Sequence, residues 1–237
     1  MVYKSTTKRI RTRMFFDYYG GIPTGQIIHV CGPSGSGKTI FATYLTSRFL
    51  ETFAGSLAIY FDADRRLAMH DLQRLCDANS ISTSILDRLK VFIPSSWSDV
   101  LSTISRYSGD SLMIVIDSLP NIFVGEQYKL VRHDVEMLPD YLSNILHFMK
   151  TLQTFTTQKN FTIILINQVR SLTTTRRGVW GRMGFIPAFW NIINSYIDTC
   201  IILEKIHHNT IYLRVYYSLG MPETIYILKL NADLKIY

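Results

Sequence analysis

Gly32-Pro33-Ser34-Gly35-Ser36-Gly37-Lys38-Thr39 follows a largely apolar run, residues 26–31, and leads into helix-like apolar spacing over residues 39–50. Strand, glycine-rich turn and helix in that order are the context of a phosphate-binding P-loop. Glycines at 32, 35 and 37 let backbone N–H groups curl round phosphate oxygens where a Cβ would obstruct them. The start of the following helix adds partial positive charge. Lys38 is placed to reach the β- and γ-phosphates, and the Thr39 hydroxyl to coordinate Mg²⁺. The expected ligands are therefore ATP and Mg²⁺, with Gly32, Pro33, Ser34, Gly35, Ser36, Gly37, Lys38 and Thr39 lining the phosphates. The plainer alternative is a glycine-rich turn with an incidental lysine; the flanking strand and helix weigh against it.

Outward from this loop, apolar runs at residues 57–61, 91–93, 112–116 and 161–166 read as further strands. They are continuous rather than alternating in polarity, as in a parallel sheet covered on both faces. Between them, residues 67–77, 98–107 and 134–154 carry helical spacing. After residue 195 three runs, 197–204, 210–217 and 224–230, are separated by short turns and read as antiparallel. The expected fold class is α/β: a mostly parallel, doubly wound sheet with a C-terminal antiparallel extension. A basic N-terminal arm, residues 1–19, precedes one core domain, residues 20–237.

A P-loop holds Mg²⁺ partly through an Asp at the end of a neighbouring strand. Asp117 closes the apolar run 112–116 and takes that role, although an Asp there can also serve as a turn former. Hydrolysis further needs a group to orient or deprotonate water. Asp62 and Asp64 both sit at the end of the strand 57–61, and spacing alone does not choose between them.

The 237 residues are 47% hydrophobic and 18% charged, a globular composition. Lys and Arg number 25 against 18 Asp and Glu, a net charge of +7 that favours anionic partners. Residues 1–13 are basic and polar with no apolar segment behind them, unlike a secretory signal, and no run approaches membrane-spanning length. A soluble intracellular protein is expected, with no membrane partner. The basic start reads most simply as a solvated tail. Cys31, Cys76 and Cys200 are too scattered for a disulfide framework or metal site and read as buried small hydrophobes. The six histidines show no ligand spacing, and His207-His208 falls in a predicted turn.

Together these elements resemble the RecA/RadA recombinase family. Gly20-Gly21-Ile22-Pro23-Thr24-Gly25-Gln26-Ile27 is similar to the family's approach to the P-loop, and Tyr60-Phe61-Asp62-Ala63-Asp64 to its carboxylate strand. Ile166-Asn167-Gln168-Val169-Arg170 resembles the strand end that begins the second DNA loop. Met221-Pro222-Glu223 and Leu230-Asn231-Ala232-Asp233 resemble the closing strands. The resemblance implies a RecA-like P-loop ATPase core. It implies a catalytic set of Lys38, Asp64 (where the family usually has Glu) and Gln168, a sensor of the γ-phosphate.

There are departures. Only about twenty residues precede Gly20, where eukaryotic and archaeal recombinases carry a helical DNA-binding domain, and no Phe-x-x-Ala polymerisation peptide is evident. Phe155-Thr156-Thr157-Gln158 approaches it in letters but sits on an expected helix. Asp64 is a methylene shorter than Glu, implying slow hydrolysis. Tyr217 stands where recombinases keep an acidic residue over the neighbouring nucleotide. Pro187-Ala188-Phe189, Thr199 and Ile201-Ile202-Leu203 look more like the eukaryotic recombinase paralogues. The size resembles the short D-type paralogue of Shu-type mediator complexes, and archaeal RadB is similar in length. Such a resemblance implies a nuclear protein (cytoplasmic if archaeal). Its implied partners are single-stranded DNA, sister paralogues, a SWIM-domain protein and the strand-exchange recombinase.

Residues 168–190 read as a long irregular loop carrying Arg170, Arg176, Arg177 and Arg182 with Trp180, Phe185, Phe189 and Trp190, and no acidic residue. Cations for phosphates interleaved with rings for base stacking suit single-stranded DNA. A basic surface loop, or an aromatic cluster packing the core or a partner, would look the same. Residues 121–140 mix charges of both signs and argue little for DNA. Two functions are compatible with the chain: a weak DNA-dependent ATPase assisting a recombinase in homologous recombination and repair, or an adaptor that binds ATP without hydrolysing it. A RadB-like regulatory ATPase is a third.

Overall fold

A computed structural model describes residues 8–108, 112–125, 138–171, 183–207, 209–218, 222–229 and Ile236. Eight strands form one path through the main sheet: β3 (Ile27–Gly32), β4 (Leu57–Asp62), β5 (Leu89–Phe92), β6 (Leu112–Asp117), β7 (Thr162–Ser171), β9 (Thr199–His207), β10 (Thr210–Ser218) and β11 (Thr224–Lys229). Their order is β11-β10-β9-β3-β7-β6-β4-β5. From β9 to β5 every pairing is parallel, while β10 and β11 join antiparallel at the other edge. The expected α/β class with its antiparallel extension describes this architecture.

The parallel strands are buried on both faces, as their unbroken apolar runs require. Ile28, Val30, Tyr60, Val115 and Ile164 face α1 (Lys38–Thr52) and α2 (Met69–Ala78). Ile27, Cys31, Ile59, Phe61, Ile114 and Leu165 face α3 (Trp97–Ser105) and α5 (Leu138–Lys159), with α4 (Leu119–Ile122) between them in the chain. Successive side chains of a strand thus supply two separate cores. The register aligns the strand ends: Asp62 lies opposite Asp117, and Gly32 opposite Gln168. That brings the sequence's candidate groups to one edge, outside the carboxyl ends of parallel strands, where α/β sheets hold ligands.

Helix α1 is rich in residues that usually weaken helices, and burial offsets this. All ten residues from Phe41 to Leu50 are buried. Thr43, Thr46 and Ser47 satisfy their hydroxyls by donating back to carbonyls four residues earlier. Part of the covering comes from the segment expected to be a solvated arm. β1 (Arg9–Ile10) pairs with β2 (Ile22–Pro23), and Ile10, Thr12 and Phe16 are fully buried. Tyr44 donates to the Thr12 carbonyl at 2.5 Å and Arg48 Nε to the Arg11 carbonyl at 3.0 Å. The solvated-tail expectation therefore fails for residues 8–13: buried Ile10 and Thr12, alternating with the basic residues, anchor the segment. Residues 1–7 lie outside the described residues.

The loop 168–190 also differs from expectation. β7 continues past Asn167 to Ser171, and β8 (Phe185–Pro187) pairs antiparallel with it, Arg170 opposite Ile186. This ribbon leaves the sheet with Gln168, Arg170 and Ser171 exposed, so its polar letters disguised a strand. Phe185 is buried, Phe189 packs near Phe123 and Tyr141, and Trp190, which opens α6 (Trp190–Ile193), stands near His29, Tyr216 and Tyr217. Phe185 thus packs the interior, while Phe189 and Trp190 are half-buried against these partners. Arg176, Arg177, Trp180 and Arg182 lie outside the described residues. Among the described residues no helix is long and apolar enough to cross a membrane.

Candidate nucleotide site

Strand β3 ends where the glycine-rich loop begins, and α1 starts at Lys38 behind Gly37 at φ 87°. A Cβ on Gly32 would run into the Leu203 carbonyl oxygen, whereas Gly35, at φ 74°, faces open space. The loop can thus approach a bulky anion at Gly35 and cannot be filled at Gly32. Ser36 contributes a buried hydroxyl with no partner among the described residues, a polar atom of the kind that a phosphate oxygen would satisfy. Lys38 Nζ donates to the carbonyls of Gly32 at 2.9 Å and Pro33 at 2.7 Å, holding the ammonium at the mouth of the loop. Burial pulls its pKa down, and the negative charge of Asp117 opposes this.

Thr39 and Asp117, which sequence reasoning paired through a cation, are in direct contact: Thr39 Oγ1 donates to Asp117 Oδ2 at 2.7 Å. Tyr60, which the sequence reading passed over, donates to the same oxygen at 2.7 Å. Burial pushes the Asp117 carboxyl above its ordinary range, with the two hydroxyl donors pulling the other way. A hydroxyl and a carboxylate in contact could hold a hard cation such as Mg²⁺.

The two acidic candidates on β4 separate by environment. Asp62 is buried and accepts from the backbone N–H groups of Arg66 at 3.1 Å and Leu67 at 2.9 Å, which makes it the clasp of the turn after β4. Asp64 lies at the strand-end edge. Its Oδ1 accepts from Ser118 Oγ at 2.9 Å and from Asn121 Nδ2, and its Oδ2 is 3.9 Å from Arg66. Ser118 and Asn121 were missed by the sequence reading; their position just after Asp117 was the available signal. A cleft of about 150 Å³ runs beside Thr39, bounded by Thr43, Arg66, Leu67 and Arg74.

Gln168 is exposed beside Gly32 at the next strand end, and its carbonyl accepts from Ala188 N at 2.9 Å. Arg170, also exposed, borders a cavity of about 350 Å³ with residues 186–192. Tyr217 belongs to packing: its hydroxyl donates to the Asn194 carbonyl at 3.4 Å beside Trp190 and Tyr216, and burial raises its pKa.

Behind the loop, the cysteines read as scattered are not all so. His29, Cys31 and Cys200 are fully buried, with ligand atoms within 4.8 Å of one another. Burial pushes the Cys31 thiol up, but the hydrogen bond from Cys200 and the neighbouring His29 pull it below the ordinary thiol range. The pairing was hidden because 169 positions separate residues that neighbouring strands β3 and β9 bring together.

The fold and site define an α/β protein with a glycine-rich, cation-compatible loop at the strand ends. No family model matches the chain. Its sequence is 28% identical over 165 residues to protein RecA of Helicobacter pylori, covering 64% of this chain and 41% of that protein. Protein RecA of Sulfurimonas denitrificans is 30% identical over 165 residues with the same coverage. This distant similarity supports a RecA-like recombinase family, and the chain spans 41% of the length of these curated relatives.

Proposed function

We propose that this chain is an ATP-binding recombinase paralogue acting in homologous recombination and DNA repair. It assists assembly of a recombinase on single-stranded DNA as one subunit of a paralogue complex. The observation that carries the reading is the contact of Thr39 with Asp117 at the mouth of the residue 32–39 loop, beside Lys38. In this reading residues 32–39 cradle the phosphates and Lys38 turns from the loop carbonyls to phosphate oxygens. Thr39 and Asp117 hold Mg²⁺, Asp64 orients water, and Gln168 senses the terminal phosphate. Arg170, Arg176, Arg177, Trp180 and Arg182 contact DNA. Sister paralogues, a SWIM-domain protein and the strand-exchange recombinase are its proposed partners, in the nucleus.

A second reading, a non-hydrolysing adaptor, is favoured by one observation: Asp64 Oδ1 is already engaged by Ser118 and Asn121. Equilibrium ATP binding and phosphate release, each with and without single-stranded DNA, separate the two. Release that DNA stimulates supports the ATPase, and tight binding without release supports the adaptor. Lys38→Ala should reduce ATP affinity severely without loss of fold. Unchanged affinity would remove the nucleotide assignment and both readings with it.

A further inference from the structure

We propose that His29, Cys31 and Cys200 form a site for a borderline-soft divalent cation of the zinc class, built into the sheet directly behind the phosphate loop. His29 and Cys31 are two apart on β3 and therefore project to the same face, and the register sets Cys200 of β9 opposite His29. The three ligand atoms lie within 4.8 Å of one another, and His29 Nδ1 is 3.4 Å from Cys200 Sγ. Zinc bonds of about 2.3 Å to sulfur and about 2.0–2.1 Å to nitrogen at tetrahedral angles set such a pair roughly 3.6 Å apart, and the three side chains fill three of the four positions, leaving the fourth for a water or other small donor. Two thiolates cancel the charge of a divalent ion, so the occupied site is neutral, as a fully buried position requires. Thiolate and imidazole donors select against Mg²⁺, which keeps this site distinct from the oxygens of Thr39 and Asp117.

A second observation comes from the opposite neighbour, β7. Asn167 is fully buried, its Nδ2 lies 3.1 Å from His29 Nε2, and its Oδ1 has no partner among the described residues. As placed, Nδ2 faces the Nε2 lone pair; a half-turn of the amide brings Oδ1 against Nε2–H instead. That outer hydrogen bond fixes the tautomer that a metal-ligating imidazole needs, leaving the Nδ1 lone pair facing Cys200. The turn replaces the 2.8 Å bond from Nδ2 to the Ala188 carbonyl with a contact between two oxygens, so occupancy requires the backbone after β8 to shift. A disulfide is a poorer fit. Cys31 and Cys200 are offset by two residues on adjacent strands, about 8 Å between Cα atoms from strand spacing and rise, beyond the roughly 7 Å limit.

The experiment uses the whole chain, stripped with chelator and titrated with Co²⁺ and then Zn²⁺. One equivalent of Co²⁺ should give thiolate-to-metal charge-transfer absorption and tetrahedral d–d bands. Zn²⁺ should displace both and raise the melting temperature. Cys200→Ser should remove the charge-transfer contribution of one thiolate, and Asn167→Ala should weaken zinc affinity by roughly 10–100-fold. A cooperatively folded wild-type chain with no charge-transfer band overturns the proposal and leaves a hydrogen-bonded chain of Asn167, His29, Cys200 and Cys31. A wild-type spectrum in folded Cys200→Ser overturns it too, because the ligands then lie elsewhere. The wild-type spectrum decides the matter even where a variant fails to fold.

Discussion

The hydroxyl of Tyr60 donates a 2.7 Å hydrogen bond to Oδ2 of Asp117, an oxygen that also accepts from Thr39. Two donors on one oxygen orient the carboxylate and leave Oδ1 as its other acceptor. Tyr60→Phe keeps the ring and removes one donor, worth about 1.5–3 kcal/mol when the acceptor is charged. ATP binding should then need roughly tenfold more Mg²⁺, since one bond to the carboxylate remains. Isothermal titration at graded Mg²⁺ measures this; an unshifted Mg²⁺ requirement would detach Tyr60 from the cation site.

Asp117 makes the site sensitive to pH. Burial raises its pKa, so the folded protein holds this proton to higher pH than the unfolded chain does. The stability linked to that proton is complete below the unfolded value and is lost as pH rises through the folded one. Above it, a buried carboxylate weighs against folding. Without Mg²⁺, Asp117→Asn should therefore melt above wild type at neutral pH, with the gap closing on acidification, while Mg²⁺-dependent ATP binding is lost. A gap that widens as pH falls would reverse the assigned direction.

The two carboxylates of β4 should fail in different assays. Asp62→Asn weakens the bonds to the Arg66 and Leu67 N–H groups and should cost about 1–3 kcal/mol in denaturant unfolding. Asp64→Asn should leave the melt nearly unchanged and abolish any phosphate release, and Asp64→Glu should increase it. If Asp62→Asn is instead stable and inactive, the roles are exchanged.

For DNA, Arg176→Ala with Arg177→Ala should flatten the plot of log affinity against log salt by roughly 1.4, about 0.7 for each phosphate contact on a single strand. Trp180→Ala should weaken binding by about 1–3 kcal/mol with little change of slope. Filter binding over a salt series reads both. A slope that the double variant leaves intact assigns these arginines to something other than phosphates.

The parallel strands were legible because burial on both faces leaves an unbroken apolar run, as in Leu112–Asp117. The loop was legible because its three glycines and lysine all fall within the seven positions 32–38. Less visible was anything that depends on the neighbouring strand. Tyr60 looks like one more strand aromatic until β6 brings Asp117 beside it. Asp62 and Asp64 differ not by letter but by the donors they meet, backbone N–H groups for the first and the Ser118 and Asn121 side chains for the second. The ribbon of β7 and β8 escaped notice because the end of β7 is polar and exposed and β8 is only three residues long, and nothing in the letters showed that Phe189 and Trp190 pack partly against Phe123, Tyr141 and His29.

The segment over α1 affects where the chain can be cut or extended. Thr12 and Arg11 grip α1 through Tyr44 and Arg48, while Lys38 and Thr39 occupy the first turn of that helix. One end of a single rigid rod therefore faces the glycine-rich loop, and the other is fastened by residues of the segment 8–19. A shortened version starting at Gly20 would uncover Tyr44 and Arg48 and free the rod at its far end. Tags and fusions are better joined upstream of Lys8 than within residues 8–19.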